Sequence, residues 1–301
     1  MCTLNELKFE IILGRNIFIC QFFNDVNSTT LNKLIHYLLL IGSVLMGYFA
    51  FTDLQISIAI VNKSSGWANF LERFGEIPGL LVLFTGALIY LSNYSSKFNF
   101  KGVFIRAFLL LAASYLLRRI LITIYSGITH SYDFLIAYKF EIIFIIILAV
   151  LIIVMFLRRL QFKETIIVYA KCSVLLGLYG YLFLVQPIKH LWGRVRFRDL
   201  DPLYSNFTSW IIPNGVNGNQ SFPSGHTALA WMILPLLLLF INKKKILRIT
   251  TLSFIIIWGI TIGLSRIVVG AHYASDVLFG AVIIILIFLL TCKNISFEHV
   301  D

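Results

Sequence analysis

Charge is scarce in this sequence. Only 13% of its 301 residues are Asp, Glu, Lys or Arg, about half the share of an ordinary soluble domain. Such a chain cannot clothe itself in a hydrated polar surface, which excludes a soluble globular enzyme and a disordered protein. Acids are fewer than bases, 14 against 25, for a formal charge of +11. The four cysteines, Cys2, Cys20, Cys172 and Cys292, have no paired spacing, so they write neither a zinc signature nor a disulfide framework. No repeat, low-complexity tract or long linker divides the chain. The N-terminus does not read as a convincing signal peptide, because Glu6, Glu10 and Arg15 interrupt the first apolar stretch and no small-residue cleavage site follows. Residues 7–23 read at most as an amphipathic helix on a membrane surface.

What is abundant is apolar: 59% of residues, with a mean hydropathy of +0.88. A bilayer-crossing helix needs about 20 such residues. Eight apolar spans are predicted, at 34–52, 78–92, 103–125, 140–157, 165–187, 225–241, 249–268 and 274–292. The fold class is therefore an all-α polytopic membrane helix bundle of about eight transmembrane helices, taken as one membrane domain over 1–301. Arg118 and Arg119 lie inside the third span. The expectation is that they sit near an interface and snorkel, since charge at mid-bilayer is costly.

Basic residues flank the spans rather than forming the dense stripe of a nucleic-acid binder. Lys8, Arg15 and Lys33 precede the first span, and Lys97 and Lys101 lie between the second and third. Arg158, Arg159 and Lys163 follow the fourth, Lys243, Lys244, Lys245 and Arg248 the sixth, and Lys293 the eighth. Alternating spans put all of them on one face. The positive-inside rule makes that face cytoplasmic, with both termini there. The other face holds loops 53–77, 126–139, 188–224 and 269–273. In the first of these, Trp67, Phe70, Leu71 and Phe74 follow helical spacing. A short amphipathic segment near 66–76 results, either lying at headgroup level or packed on the bundle as a lid.

Loop 188–224 breaks the topological pattern. Lys189, Arg194, Arg196 and Arg198 fall within ten residues, on the face where cations are disfavoured, and an anionic ligand explains them better than topology does. Arg offers forked hydrogen bonds to phosphate, and Lys a compact charge. The loop closes on Pro223-Ser224-Gly225-His226 as an apolar span begins. Ser224 suits a helix N-cap, and Gly225 lets an anion approach the free N–H groups of the first turn. A third cluster is Ser265-Arg266, with His272 and Asp276 following. The i, i+4 spacing places His272 and Asp276 on one face at the head of the last span, where a carboxylate can fix an imidazole and offset its charge. Three distant clusters thus map to one membrane face, with an inventory suited to phosphoryl transfer.

These clusters resemble the three motifs of the type 2 phosphatidic acid phosphatase (PAP2) superfamily: Lys-x6-Arg-Pro, Pro-Ser-Gly-His and Ser-Arg-x5-His-x3-Asp. Lys189 and Arg196 match the first in spacing, with Phe197 in place of the proline, and the other two match in full. The resemblance implies a PAP2-like catalytic core over 165–292. The N-terminal helices of 1–163 lie outside it, and two of the eight spans are additional to a six-helix core.

The resemblance also implies roles. His272 is the nucleophile that forms a phosphohistidine. Asp276 holds its ring, and His226 protonates the leaving oxygen and then activates water. Lys189, Arg196, Ser224, Gly225 and Arg266 bind the phosphate. No cofactor is implied. With no HExxH motif and no cysteine partners, His226, His272 and Asp276 are not read as metal ligands. The extra cations Arg194 and Arg198 either meet a second phosphate or headgroup, or pair with Asp199, Asp201 or lipid phosphates. His36, His130, His190 and His299 read as surface or packing residues, and Asp133 and Glu141 have no motif partner.

The expected partners are a lipid phosphate and the bilayer, not nucleic acid. Candidate substrates are phosphatidic acid, phosphatidylglycerol phosphate, a polyprenyl diphosphate, a sphingoid phosphate or a lipid A phosphate. Two rival readings keep the same membrane architecture: a lipid-to-lipid phosphotransferase, and a non-catalytic lipid-binding protein.

Overall fold

A computed structural model describes residues 28–94, 99–129 and 139–297. The 7–23 stretch, Cys2, Cys20, Lys8, Arg15, Lys97, His130, Asp133 and His299 lie outside the described residues. Among those described, every regular element is helical. This follows from the solvent, because a backbone in lipid must satisfy its own N–H and C=O groups.

Helix α1 spans Ser28–Ile60, α2 Gly66–Phe74, α3 Ile77–Asn93, α4 Phe100–Thr129 and α5 Lys139–Leu157. Helix α6, Glu164–Leu175, runs through a π-helical stretch, Leu176–Val185, into α7, Gln186–Trp192. Then come α8 at Gly225–Trp231, α9 at Leu236–Leu239, α10 at Lys245–Val268 and α11 at Ala274–Phe297. Six helical segments among the described residues are long and apolar enough to cross a membrane. The fourth and sixth predicted spans appear as shorter apolar helices, Glu141–Leu157 and Gly225–Leu239. The latter is interrupted between α8 and α9.

Helix α3 lies deepest, with Leu80, Leu83, Ala87 and Leu91 all buried. It packs against α4 and α6. Gly86 makes the second contact possible, since a β-carbon there would stand 3.0 Å from Ser173 Oγ on α6. Close approach through small residues is the usual packing of helices in lipid. Helix α11 lies along α1 and the π-helical stretch, and α8 is held between α10 and α11. Outward faces remain apolar, as at Leu40, Val44 and Phe51 of α1 and Phe144, Met155 and Phe156 of α5.

At one end three connections are tied together. Asn62 N–H donates to the Val268 carbonyl at 2.7 Å, and Arg198 N–H to that of Gly270 at 2.9 Å. Lys63 Nζ donates to the Arg198 carbonyl at 3.3 Å. At the opposite end Lys293 Nζ donates to Asn32 Oδ1 at 2.9 Å. The predicted 53–77 loop is partly helix, because α1 continues to Ile60. Asp53 therefore sits inside a membrane helix rather than in a connection.

Candidate active site

Lys189 stands on the last turn of α7. Gly193 ends that helix at φ 60°, where a β-carbon would collide with the Gly215 carbonyl oxygen. Glycine alone allows this turn. The chain folds back there, carrying Arg194 inward and placing Arg196 at the start of the single turn Phe197–Asp199. Phe197 stacks on Tyr204, with ring centroids 5.7 Å apart.

The 221–226 segment is fixed by an aromatic anchor. Phe222 is fully buried, with ring centroids 4.8 Å from Trp192 and 4.7 Å from Phe279. Ser224 caps α8, its Oγ accepting from Thr227 N–H at 3.3 Å and from Thr227 Oγ1 at 2.9 Å. Its own N–H donates to the Asp276 carbonyl at 2.9 Å, which joins the second and third clusters. A β-carbon at Gly225 would lie 3.6 Å from Lys189 Nζ and 3.7 Å from Tyr181 Oη, with nothing else within 4 Å. The first cluster therefore meets the helix start directly. His226 lies partly exposed in the field of Arg266, His272, Lys189 and Arg119.

Arg266 closes the ring of cations. It is 2% exposed, and its Nη2 donates to Glu72 Oε1 at 2.8 Å. Among the described residues its Nε and Nη1 have no partner. Unpaired buried donors are costly, so these two mark where an anion would be welcome. Among the described residues Arg196 has no side-chain hydrogen bond either, and it adds to the field at Lys189 and Arg266.

His272 is 2% exposed and precedes α11 instead of lying on its first turn. Its Nδ1 lies 2.7 Å from the Ser221 carbonyl. A carbonyl only accepts, so Nδ1 carries the proton and Nε2 is left with a free lone pair. Burial, aided by the positive field of Lys189 and Arg266 and opposed by Asp276, pushes the ring down to about 3, so it is neutral at physiological pH.

Asp276 does not hold the ring by a hydrogen bond as the i, i+4 spacing suggested. Its Oδ2 is 3.6 Å from His272 Nδ1, too far for one. That carboxylate accepts instead from Ser221 Oγ at 2.5 Å, Tyr273 N–H at 2.9 Å and Arg194 Nη1 at 2.6 Å.

The two extra cations pair with acids other than Asp199 and Asp201. Arg194 is wholly buried between Asp276 and Asp53, whose Oδ2 it reaches at 2.9 Å. Arg198 pairs with Glu72 at 3.0 Å. Asp201 instead closes its own turn, and the Ser205 hydroxyl, with the backbone N–H groups of Leu203, Ser205 and Asn206, lowers its carboxyl to about 2. Arg119 does not simply snorkel either, for its Nη2 reaches Glu76 at 3.0 Å. His36 and His190 remain exposed, each bonded within its own helix.

Three acids, Asp53, Glu72 and Glu76, were missed in the sequence. The signal available for Asp53 was an acid at the edge of an apolar run, which demands a partner. Glu72 lay on the polar face of a segment read only for its apolar one. Among the described residues, no group of three or more His, Cys, Asp or Glu side chains is arranged to hold a metal ion.

A polytopic helical membrane protein with arginines, histidines and a helix start gathered at one end defines a narrow class. The family model of the PAP2 superfamily matches residues 170–298, from α6 to the end of α11. A match to that family points to phosphatase or related phosphoryl-transfer activity. No solved structure gives a significant match to the chain.

Proposed function

We propose that the protein is a metal-independent membrane lipid phosphatase acting on a lipid phosphomonoester or diphosphate through a phosphohistidine. The observation that carries this reading is Arg266, buried with two unpartnered donors beside a neutral histidine whose Nε2 is free. Lys189, Arg196 and Arg266, with Ser224 and the N–H groups at Gly225, hold the phosphoryl oxygens.

His272 Nε2 attacks phosphorus and forms the P–N bond as the P–O bond to the lipid, or to the terminal phosphate's bridging oxygen, breaks. His226 gives the leaving oxygen its proton. Asp276 offsets the charge that grows on the His272 ring. In the second half His226 takes a proton from water, whose oxygen forms the new P–O bond as the P–N bond breaks. Inorganic phosphate leaves, and both histidines return to their starting states. The substrate's apolar chain stays in the bilayer while its headgroup enters at the interface. The loop charges favour a cell membrane with the site on the extracytoplasmic face and both termini cytoplasmic.

The test is phosphate release by the purified protein from a panel of lipid phosphates and diphosphates, beside His272→Ala. Release from one lipid class, lost in the variant, is the expected result. No release from any lipid, but transfer to an added acceptor lipid, would replace hydrolysis with phosphotransfer. Absence of both activities would overturn the enzymatic reading.

A further inference from the structure

Arg194 uses all three of its guanidinium nitrogens in hydrogen bonds, and it stands one residue layer behind the reaction centre. Its side chain is 0% exposed. Nε donates to the Thr208 carbonyl at 3.0 Å. Nη1 donates to Asp276 Oδ1 at 2.6 Å and to Ser275 Oγ at 2.8 Å. Nη2 donates to Asp53 Oδ2 at 2.9 Å. The guanidinium carbon lies 3.9 Å from the centroid of the Tyr273 ring. Asp53, 1% exposed, also accepts the Ser275 N–H at 3.0 Å and bonds Ser275 Oγ. Helix α1, the loop before α8 and the head of α11 thus meet on one guanidinium.

We propose that Arg194 and Asp53 are positioning residues for the Asp276–His272 pair, so that α1 belongs to the catalytic unit although it lies outside the segment matched by the family. The proposal rests on the phosphohistidine reading above. Arg194 pins one oxygen of Asp276, which leaves the other for Ser221 and Tyr273, and Ser221 in turn accepts from His272. Charge gives the second half of the argument. One arginine and one aspartate would be a neutral pair, with little to offer a histidine that becomes cationic. Asp53 adds a second carboxylate that shares the guanidinium, so Asp276 is not the sole counter-ion of Arg194. The arrangement is costly to bury, and its charge acts strongly because water is excluded.

The test compares wild type, Asp53→Asn, Arg194→Lys and Arg194→Met as full-length purified proteins, with kcat and KM measured on the lipid phosphate that wild type hydrolyses. Melting curves and size-exclusion profiles establish folding. Asp53→Asn keeps the volume but removes the carboxylate and one of its two acceptor oxygens, either that for Arg194 Nη2 or that for Ser275 N–H. The expected result is a fall in kcat of about tenfold with KM within about twofold, because phosphate contacts are untouched. Arg194→Lys retains part of the turnover, and Arg194→Met almost none. If Asp53→Asn does not fold, Ser275→Ala weakens the same junction and replaces it. A folded Asp53→Asn protein with unchanged kcat, or one whose loss lies wholly in KM, overturns the positioning role while wild type remains active. A wild type without phosphatase or transferase activity removes the phosphohistidine reading, and this inference with it.

Discussion

His272 donates the hydrogen bond of its Nδ1–H to the carbonyl of Ser221, 2.7 Å away, and not to the carboxylate of Asp276, 3.6 Å away. Orientation of the ring and compensation of its charge are thereby divided between two residues. A main-chain carbonyl cannot be removed by substitution, so the ring keeps its orientation when Asp276 is changed.

His272→Ala and Asp276→Asn should therefore differ. The first removes the nucleophile and lowers phosphate release by about 10³-fold or more. The second loses charge compensation but keeps Nε2 aimed, and costs about 10²-fold. Single-turnover phosphate release separates them, and equal losses would argue that Asp276 orients the ring after all.

Arg266 should govern binding. Substitution by Met removes charge-assisted hydrogen bonds worth about 1.5–3 kcal/mol each, so KM rises by about tenfold or more. Glu72→Gln leaves the donors in place but loosens their anchor, which raises KM by a few-fold only. His190→Ala, outside this set, keeps activity within about twofold. Steady-state kinetics on one lipid phosphate reads all three.

Acid should destabilise the protein through His272. Its folded value of about 3 lies below the ordinary 6.5, so between these values the unfolded chain binds the extra proton. The contribution to stability is complete above pH 6.5 and is lost as pH falls toward 3, by at most about 1.4 kcal/mol per unit. Melting temperatures from pH 7 to pH 4 should fall less steeply for His272→Gln than for wild type.

Chelation should leave turnover unchanged, since the cationic side chains take the part that metal ions play at other phosphoryl-transfer sites. Phosphate release in EDTA, with and without added divalent ions, checks this. A loss restored by the ion would assign the phosphate contacts differently.

The helices were legible because lipid leaves the backbone few choices and apolar length is a direct signal. Lys189, Arg196, His226, Arg266 and His272 stood out as candidates because cations and histidines on an outer face have no topological reason to be there, and Ser224, Gly225 and Asp276 stood out by helix-start chemistry and spacing. The counter-ions did not. Glu72 reaches Arg266 across 194 positions of sequence, and Asp53 reaches Arg194 across 141. Nothing local in the sequence announces either pairing, and spacing misassigned the partner of His272 because a main-chain carbonyl has no sequence signature. The end of α1 was misread because Asp53 resembles the polar edge of a span, whereas the helix buries it.

Asp53 also constrains how the chain is made. It lies about 10 Å along α1 from the helix end, and its partners Arg194 and Ser275 follow 141 and 222 residues later. During synthesis α1 holds an acid whose counter-ion does not yet exist. Full docking of the first helix must wait for the last, so a ribosome-bound fragment ending before Ser275 should leave α1 loosely held. Quality-control proteases that sample unpaired charge in membrane helices would meet the nascent protein at that point, and the finished one no longer offers them the same target.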